Sequence, residues 1–267
     1  MAKGIKLNKI LKNPIKIQDI KEKVDYLSNK KIVGPDIQVM MLGARRVGKT
    51  SVLASMVNQF NNVTANTNLV LTKGSGGTEI DKAYVSMNNY FVGEPKAYEM
   101  VGSMDNNPTS GFDYFDLKLS IANKKEVKPR KIRFKDCAGE WITNYSNTSE
   151  IAEEIEKSDV VIIAIDSVLL MEEKGKFNHQ NAVQNVTNFI KENMNPADNV
   201  NNHKMVLFVP LKCEKYYWQH LDKNSRFYNK RMESLNKAIK EAYADLLAFL
   251  AKPNNKPHFD VAMRALC

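Results

Sequence analysis

The sequence predicts an α/β fold, with helices on both faces of a mixed, mostly parallel sheet, and two observations carry that prediction. From Ile37 onward, short apolar runs alternate with amphipathic stretches. Two of the runs, VVIIAI at 160–165 and MVLFVP at 205–210, are apolar throughout, as strands covered on both faces are. With 267 residues and 43% hydrophobic content, the chain can build one large core or two small ones.

The elements follow in order. Residues 1–34 form a separate basic arm: nine lysines in residues 1–31 face only Asp19, Glu22 and Asp25, and Gly34-Pro35 closes the segment. This arm reads either as a short helix packed on the main domain or as a basic contact for an anionic surface. The main domain is expected over 35–267. IQVMML at 37–42 is its first strand, and a helix is expected from about residue 50 to 60.

Residues 61–111 carry little periodicity and much Asn, Gly, Ser and Thr, so an insertion with little regular structure is expected after the first helix. FDYFDLKLSI places Phe115, Leu117, Leu119 and Ile121 on every second position, which predicts a strand with one wet face near a sheet edge. KIRFK at 131–135 and VVIIAI are further strands, followed by a helix near 181–194 and the strand MVLFVP. Met232, Leu235, Ile239, Ala242, Leu246 and Leu250 recur three or four apart, predicting one long helix over 225–252 before Pro253. HFDVAM reads as the last strand.

Several function classes are excluded or weakened. The longest apolar runs are strand-length, far short of the ~20 residues that span a bilayer. The N-terminus lacks the apolar core and cleavage site of a secretion signal, so a cytoplasmic location is expected. Cys137, Cys213 and Cys267 have no metal-ligand spacing, and neither disulfide nor zinc is predicted. The formal charge of +9 reads first as solvated lysine and second as an anionic partner. The four histidines show no metal-ligand spacing, and no serine or cysteine stands in a nucleophile-elbow pattern.

The chemistry concentrates at GARRVGKT, residues 43–50, which matches G-x-x-x-x-G-K-[ST] between a strand and a helix. In such a loop the backbone N–H groups of Gly43, Ala44, Arg45, Arg46, Val47, Gly48, Lys49, Thr50 and Ser51 are the candidate phosphate donors. Lys49 would hold the β- and γ-phosphates, and the Thr50 hydroxyl would face magnesium. Arg45 and Arg46 stand where small residues leave room. They either lend positive charge to a transition state or crowd out the attacking water.

A second signal is DCAGE at 136–140. D-x-x-G recurs by chance about once in a chain of this length, so its weight comes from following a strand downstream of the loop. Asp136 is the candidate for a magnesium-bound water, and the Gly139 N–H for the γ-phosphate.

GARRVGKT, DCAGE and VPLKCE, in this order and each closing a strand, resemble the translation-factor-like GTPases that include the Ras-like proteins. The resemblance is nearest to the bacterial double-GTPase or conflict-system branch. It implies GTP and GDP as ligands with Mg2+, a nucleotide-controlled switch, and a protein effector or regulator that reads the switch loops.

It further implies that Lys212 and Glu214 contact guanine. Leu211 departs from the family Asn, and Glu140 takes the place of the family Gln that orients water. An ionised carboxylate cannot donate to a phosphate oxygen, so slow hydrolysis is expected with Lys49, Glu140 and Arg45 as catalytic candidates. A switch threonine for magnesium is expected at Thr109, with Thr78 as competitor. MRAL at 263–266 stands where the family has a serine-containing guanine loop. The alternatives kept open are an ATPase on a related fold and a nucleotide-binding module that does not hydrolyse.

Overall fold

A computed structural model of the chain describes residues 36–64, 67–76, 111–122, 129–194, 203–213 and 226–263. The basic arm, Thr78, Thr109, Glu214, residues 77–110 of the insertion and residues 264–266 lie outside the described residues.

Seven strands form one sheet in the order β2-β3-β4-β1-β5-β6-β7. They are β1 Ile37–Leu42, β2 Leu69–Gly76, β3 Phe112–Ile121, β4 Arg130–Cys137, β5 Val160–Asp166, β6 Lys204–Leu211 and β7 Phe259–Met263. The pairs β4–β1, β1–β5, β5–β6 and β6–β7 are parallel, whereas β2–β3 and β3–β4 are antiparallel. The sheet is therefore mixed and mostly parallel, as the apolar runs imply.

Helices cover both faces. α1 (Lys49–Thr64) lies on one, where Leu53 and Ala54 pack with Val39, Met41, Phe115, Phe134, Ile162 and Val209. On the other face lie α2 (Gly139–Asn144), α3 (Thr148–Lys157), α4 (Ser167–Met171), α5 (Val183–Asn193), α6 (Arg226–Ala242) and α7 (Ala244–Leu250). There Met40, Leu42, Ile163, Ile165 and Phe208 meet Ile151, Ile155, Phe189, Ile190, Leu235, Ile239 and Leu246. Alternate residues of β1 and β5 thus feed opposite cores, which is why their sequences are apolar throughout.

Three expectations need correction. The insertion contains a strand: β2 pairs with β3, with Leu69 and Leu71 half-buried and Val70 and Thr72 exposed. Its alternation is hidden because the outward Val70 is as apolar as its neighbours, and the pairing that defines it comes from about fifty residues away.

Second, β3 lies beside the edge strand β2, as its alternation implies, but its expected wet face is not uniformly wet. Asp116 is buried there, because Arg133 grips it through Nε at 2.8 Å and Nη2 at 3.1 Å while the Ser75 hydroxyl donates at 2.8 Å. Third, the single helix expected over 225–252 is two. Tyr243 leaves helical geometry at φ −104° and ψ 25°, although the N–H of Tyr243 still reaches Ile239 O at 2.9 Å. Its ring is buried edge-on against Phe208, 5.2 Å between centroids.

At the far end of the sheet, buried Lys204 directs Nζ at the carbonyls of Ile155 (3.3 Å) and Ser158 (2.8 Å), satisfying the C-terminus of α3. Among the described residues, no helix is long and apolar enough to cross a membrane.

Candidate functional site

Strand order fixes where a ligand goes. The chain runs from β4 to β5 across β1, so the connections diverge at the carboxyl end of β1, where a crevice opens in α/β sheets. The residues leaving β1, β4, β5 and β6 at that end are Gly43, Ala138, Ser167 and Lys212.

The β1 exit is the loop 43–48. Gly48 takes φ +106°, a conformation that only glycine adopts without strain, and Lys49 then begins α1. Ala44 and Val47 are buried beneath the loop, Arg45 and Arg46 are exposed, and Ser51 is half-buried in the first turn of α1. Gly43 approaches Ala164 so closely that a Cβ would lie 2.8 Å from its carbonyl oxygen.

Lys49 curls back over the loop, donating from Nζ to Gly43 O at 2.9 Å and Ala44 O at 3.2 Å. It is 7% exposed, and burial depresses its pKa while the Asp136 carboxylate works in the opposite direction. Such a lysine is ready to exchange carbonyl dipoles for a full anionic partner.

Asp136 is the last residue but one of β4 and is fully buried. The Thr50 hydroxyl donates to its Oδ2 at 2.7 Å, joining positions 86 residues apart. Oδ1 is buried without a hydrogen-bond partner. Burial raises the Asp136 pKa, against the pull of Lys49 and the Thr50 bond. The adjacent Cys137 thiol is pushed up to about 12 by burial, which removes it as a thiolate nucleophile.

Gly139 opens α2 against the phosphate loop: a Cβ there would lie 2.6 Å from both N and Cα of Arg45. Two polar contacts reinforce this approach. The Arg45 N–H points at Thr143 Oγ1 at 3.4 Å, and the Arg45 guanidinium pairs with Glu140 at 2.7 Å, each side chain about half exposed. Two of the three residues read from the sequence as catalytic candidates thus hold one another. Trp141 packs edge-on against Phe112, 5.3 Å between centroids.

From β6, Lys212 adopts φ +56° and donates to Arg46 O at 2.9 Å while pairing with Asp166. Leu211, where the resembled family has Asn, is buried, and a Cβ on Gly48 would be 3.7 Å from its Cδ1. It supports the loop by packing.

Sequence reasoning missed Asp166. Its Oδ1 accepts the N–H groups of Val168 (2.9 Å) and Leu169 (3.2 Å), and Asn181 brackets its backbone with bonds of 2.8 and 3.1 Å. Its one available signal is an acid closing a wholly apolar strand. The structure therefore gathers the loop 43–51, Asp136, Gly139, Glu140 and Lys212 at one end of the sheet. Among the described residues, no group of three or more His, Cys, Asp or Glu could hold a metal. The oxygen donors gathered here are the Thr50 hydroxyl and the Asp136 carboxylate.

Comparison with known proteins adds the family. No curated protein sequence matches the chain. A solved structure similar to it is the ADP-ribosylation-factor-like GTP-binding protein, or small COPII coat GTPase SAR1, of Encephalitozoon cuniculi in complex with GDP. The match has 9% identity and a TM-score of 0.35, and it covers 97% of this chain and 84% of that one. The family model described as Double-GTPase 2 matches residues 37–249, which include every strand but β7 and the whole gathered site. The chain belongs to the Double-GTPase 2 family and is a GTP-binding phosphate-loop protein.

Proposed function

We propose that the protein binds GTP as its magnesium complex, hydrolyses it slowly, and signals the γ-phosphate through Gly139 and Glu140. One observation carries the reading: Thr50 and Asp136 are hydrogen-bonded beside Lys49, with one Asp136 oxygen buried and unpaired. A hydroxyl and a carboxylate are hard oxygen donors, and a buried oxygen without a partner is costly unless a cation or its water completes it. The donor set fits Mg2+, held by Thr50 and by Asp136 directly or through water. When bound, magnesium supplies neutralisation of charge on the β- and γ-phosphate oxygens.

The chain's own groups do the rest. The N–H groups of residues 44–51 face the phosphates, and Lys49 turns from the Gly43 and Ala44 carbonyls to them. Lys212 keeps the loop in register through Arg46 O and lays its stem along the base. Glu214 reads the guanine edge by accepting two N–H bonds. Thr109, with Thr78 as alternative, completes the switch.

Glu140 accepts a proton from the attacking water once Arg45 moves to the γ-phosphate. Their half-exposed pair is worth about 0–1 kcal/mol, little enough to be exchanged. A protein effector reads the loops so ordered, the basic arm at 1–34 contacts an anionic surface, and the buried free thiols Cys137 and Cys213 suit the cytoplasm.

The same Arg45–Glu140 pair favours a second reading, a module that binds nucleotide without turnover. Binding of GTP, GDP, ATP and ADP with Mg2+, together with phosphate release, separates the two, using Lys49→Ala as control. Guanine-selective binding with turnover lost in Lys49→Ala supports the switch. Selective binding with no turnover leaves the module, and adenine preference overturns the guanine assignment.

A further inference from the structure

β3 and β4 are antiparallel, and Asp113 stands directly opposite Asp136 in their register. Directly opposed residues project to the same face, and like charges in that position repel. The face is settled by the next pair along: Phe115 opposite Phe134, their rings stacked at 4.7 Å in the core beneath α1. α1 also supplies Thr50 to Asp136. Asp113 is therefore on the same side of the sheet as the Thr50–Asp136 pair, at the end where the phosphate loop lies.

A further fact connects it to the cation: the Asp136 Oδ1 on that face is buried without a hydrogen-bond partner. One Asp113 oxygen accepts the Tyr114 N–H at 2.9 Å, which fixes the side chain at the strand end.

We infer that Asp113 is a second carboxylate of the cation site, opposite Asp136 on adjacent strands and contributing its charge to retention of a hard divalent cation. This rests on the proposed magnesium site and extends it. A single buried aspartate and a threonine leave cation retention dependent on the nucleotide's phosphates. With a second carboxylate the cation stays when only the diphosphate is bound. Asp113 is a positioning residue here, acting on the cation and through it on the phosphates, and a divalent cation relieves its repulsion with Asp136.

The experiment titrates Mn2+ into the GDP-loaded full chain, with free Mn2+ read by electron paramagnetic resonance. Melting curves with and without metal accompany it. Asp113→Asn is nearly isosteric and is expected to weaken Mn2+ binding roughly ten-fold, in the range that metal-supporting groups show. Affinity for GDP measured in chelator should stay within two-fold of wild type. The rise in melting temperature that metal induces should shrink in Asp113→Asn. Mn2+ affinity within two-fold of wild type, or a metal-induced rise in melting temperature equal to that of wild type, overturns the inference and leaves the magnesium reading intact. Wild-type protein that takes up no Mn2+, with Asp136→Asn behaving identically, overturns the cation site and this inference together.

Discussion

Replacing Gly139 by alanine tests whether the D-x-x-G segment rests on the phosphate loop. The added Cβ would lie 2.6 Å from N and Cα of Arg45 and 2.8 Å from the Ala44 carbonyl carbon, all backbone atoms. Ordinary contact begins at 3.4 Å, so the two segments must part by 3.4 − 2.6, about 0.8 Å. Backbone cannot rotate away as a side-chain tip can, and overpacking of this kind costs about 1–3 kcal/mol. Without the clash the sign would reverse, because Gly139 opens α2 and alanine is up to about 1 kcal/mol better in a helix.

At about 2–4 °C per kcal/mol, the variant should melt about 2–12 °C below wild type. The separation also parts Arg45 from Thr143 and Glu140. Preference for GTP over GDP should therefore fall, while GDP affinity, which does not depend on Gly139, changes little. Thermal melting by fluorescence and titration of labelled GTP and GDP read both effects. A variant that melts at or above wild type would refute the close approach, and unchanged GTP preference would refute its role in sensing the γ-phosphate.

Three other outcomes are expected. Lys212→Ala loses the bond to Arg46 O and the pair with Asp166, so guanine nucleotide affinity should fall about ten-fold by calorimetric titration; an equal fall for ATP would sink the base-stacking part of the argument. Tyr243→Phe removes a buried hydroxyl that has no hydrogen-bond partner and should raise stability by about 1 kcal/mol in urea unfolding. Asp116 is held below the usual carboxylate range chiefly by the Arg133 bond, so its stabilisation is present above the unfolded-state pKa of about 4 and fades as pH falls through and below it. Asp116→Asn should therefore unfold about 1–3 kcal/mol more easily at pH 7, and the gap should narrow as pH falls below the unfolded-state pKa toward the lowered folded-state one, as unfolding curves across pH would show.

What was legible in the sequence was local. GARRVGKT announces itself because curling a backbone around phosphate needs glycines at fixed spacing with a lysine and a hydroxyl directly after, all within eight residues. The parallel core was legible for a similar reason, since a strand buried on both faces must be apolar at every position, as VVIIAI and MVLFVP are. Asp136 and Gly139 could be named because they stand at and just beyond the end of a readable strand.

Only the tertiary structure decided the rest, because those features depend on register between distant segments. β2 becomes a strand by pairing with β3, and Asp113 faces Asp136 only once β3 and β4 are aligned. Arg45 meets Glu140, and Lys212 meets Asp166 and Arg46, across gaps of dozens to well over a hundred residues. Leu211, a departure from the family pattern when read in sequence, is a packing contact under Gly48 in space. A chain states its backbone requirements residue by residue, whereas the pairing of its charges is fixed by which strands lie side by side.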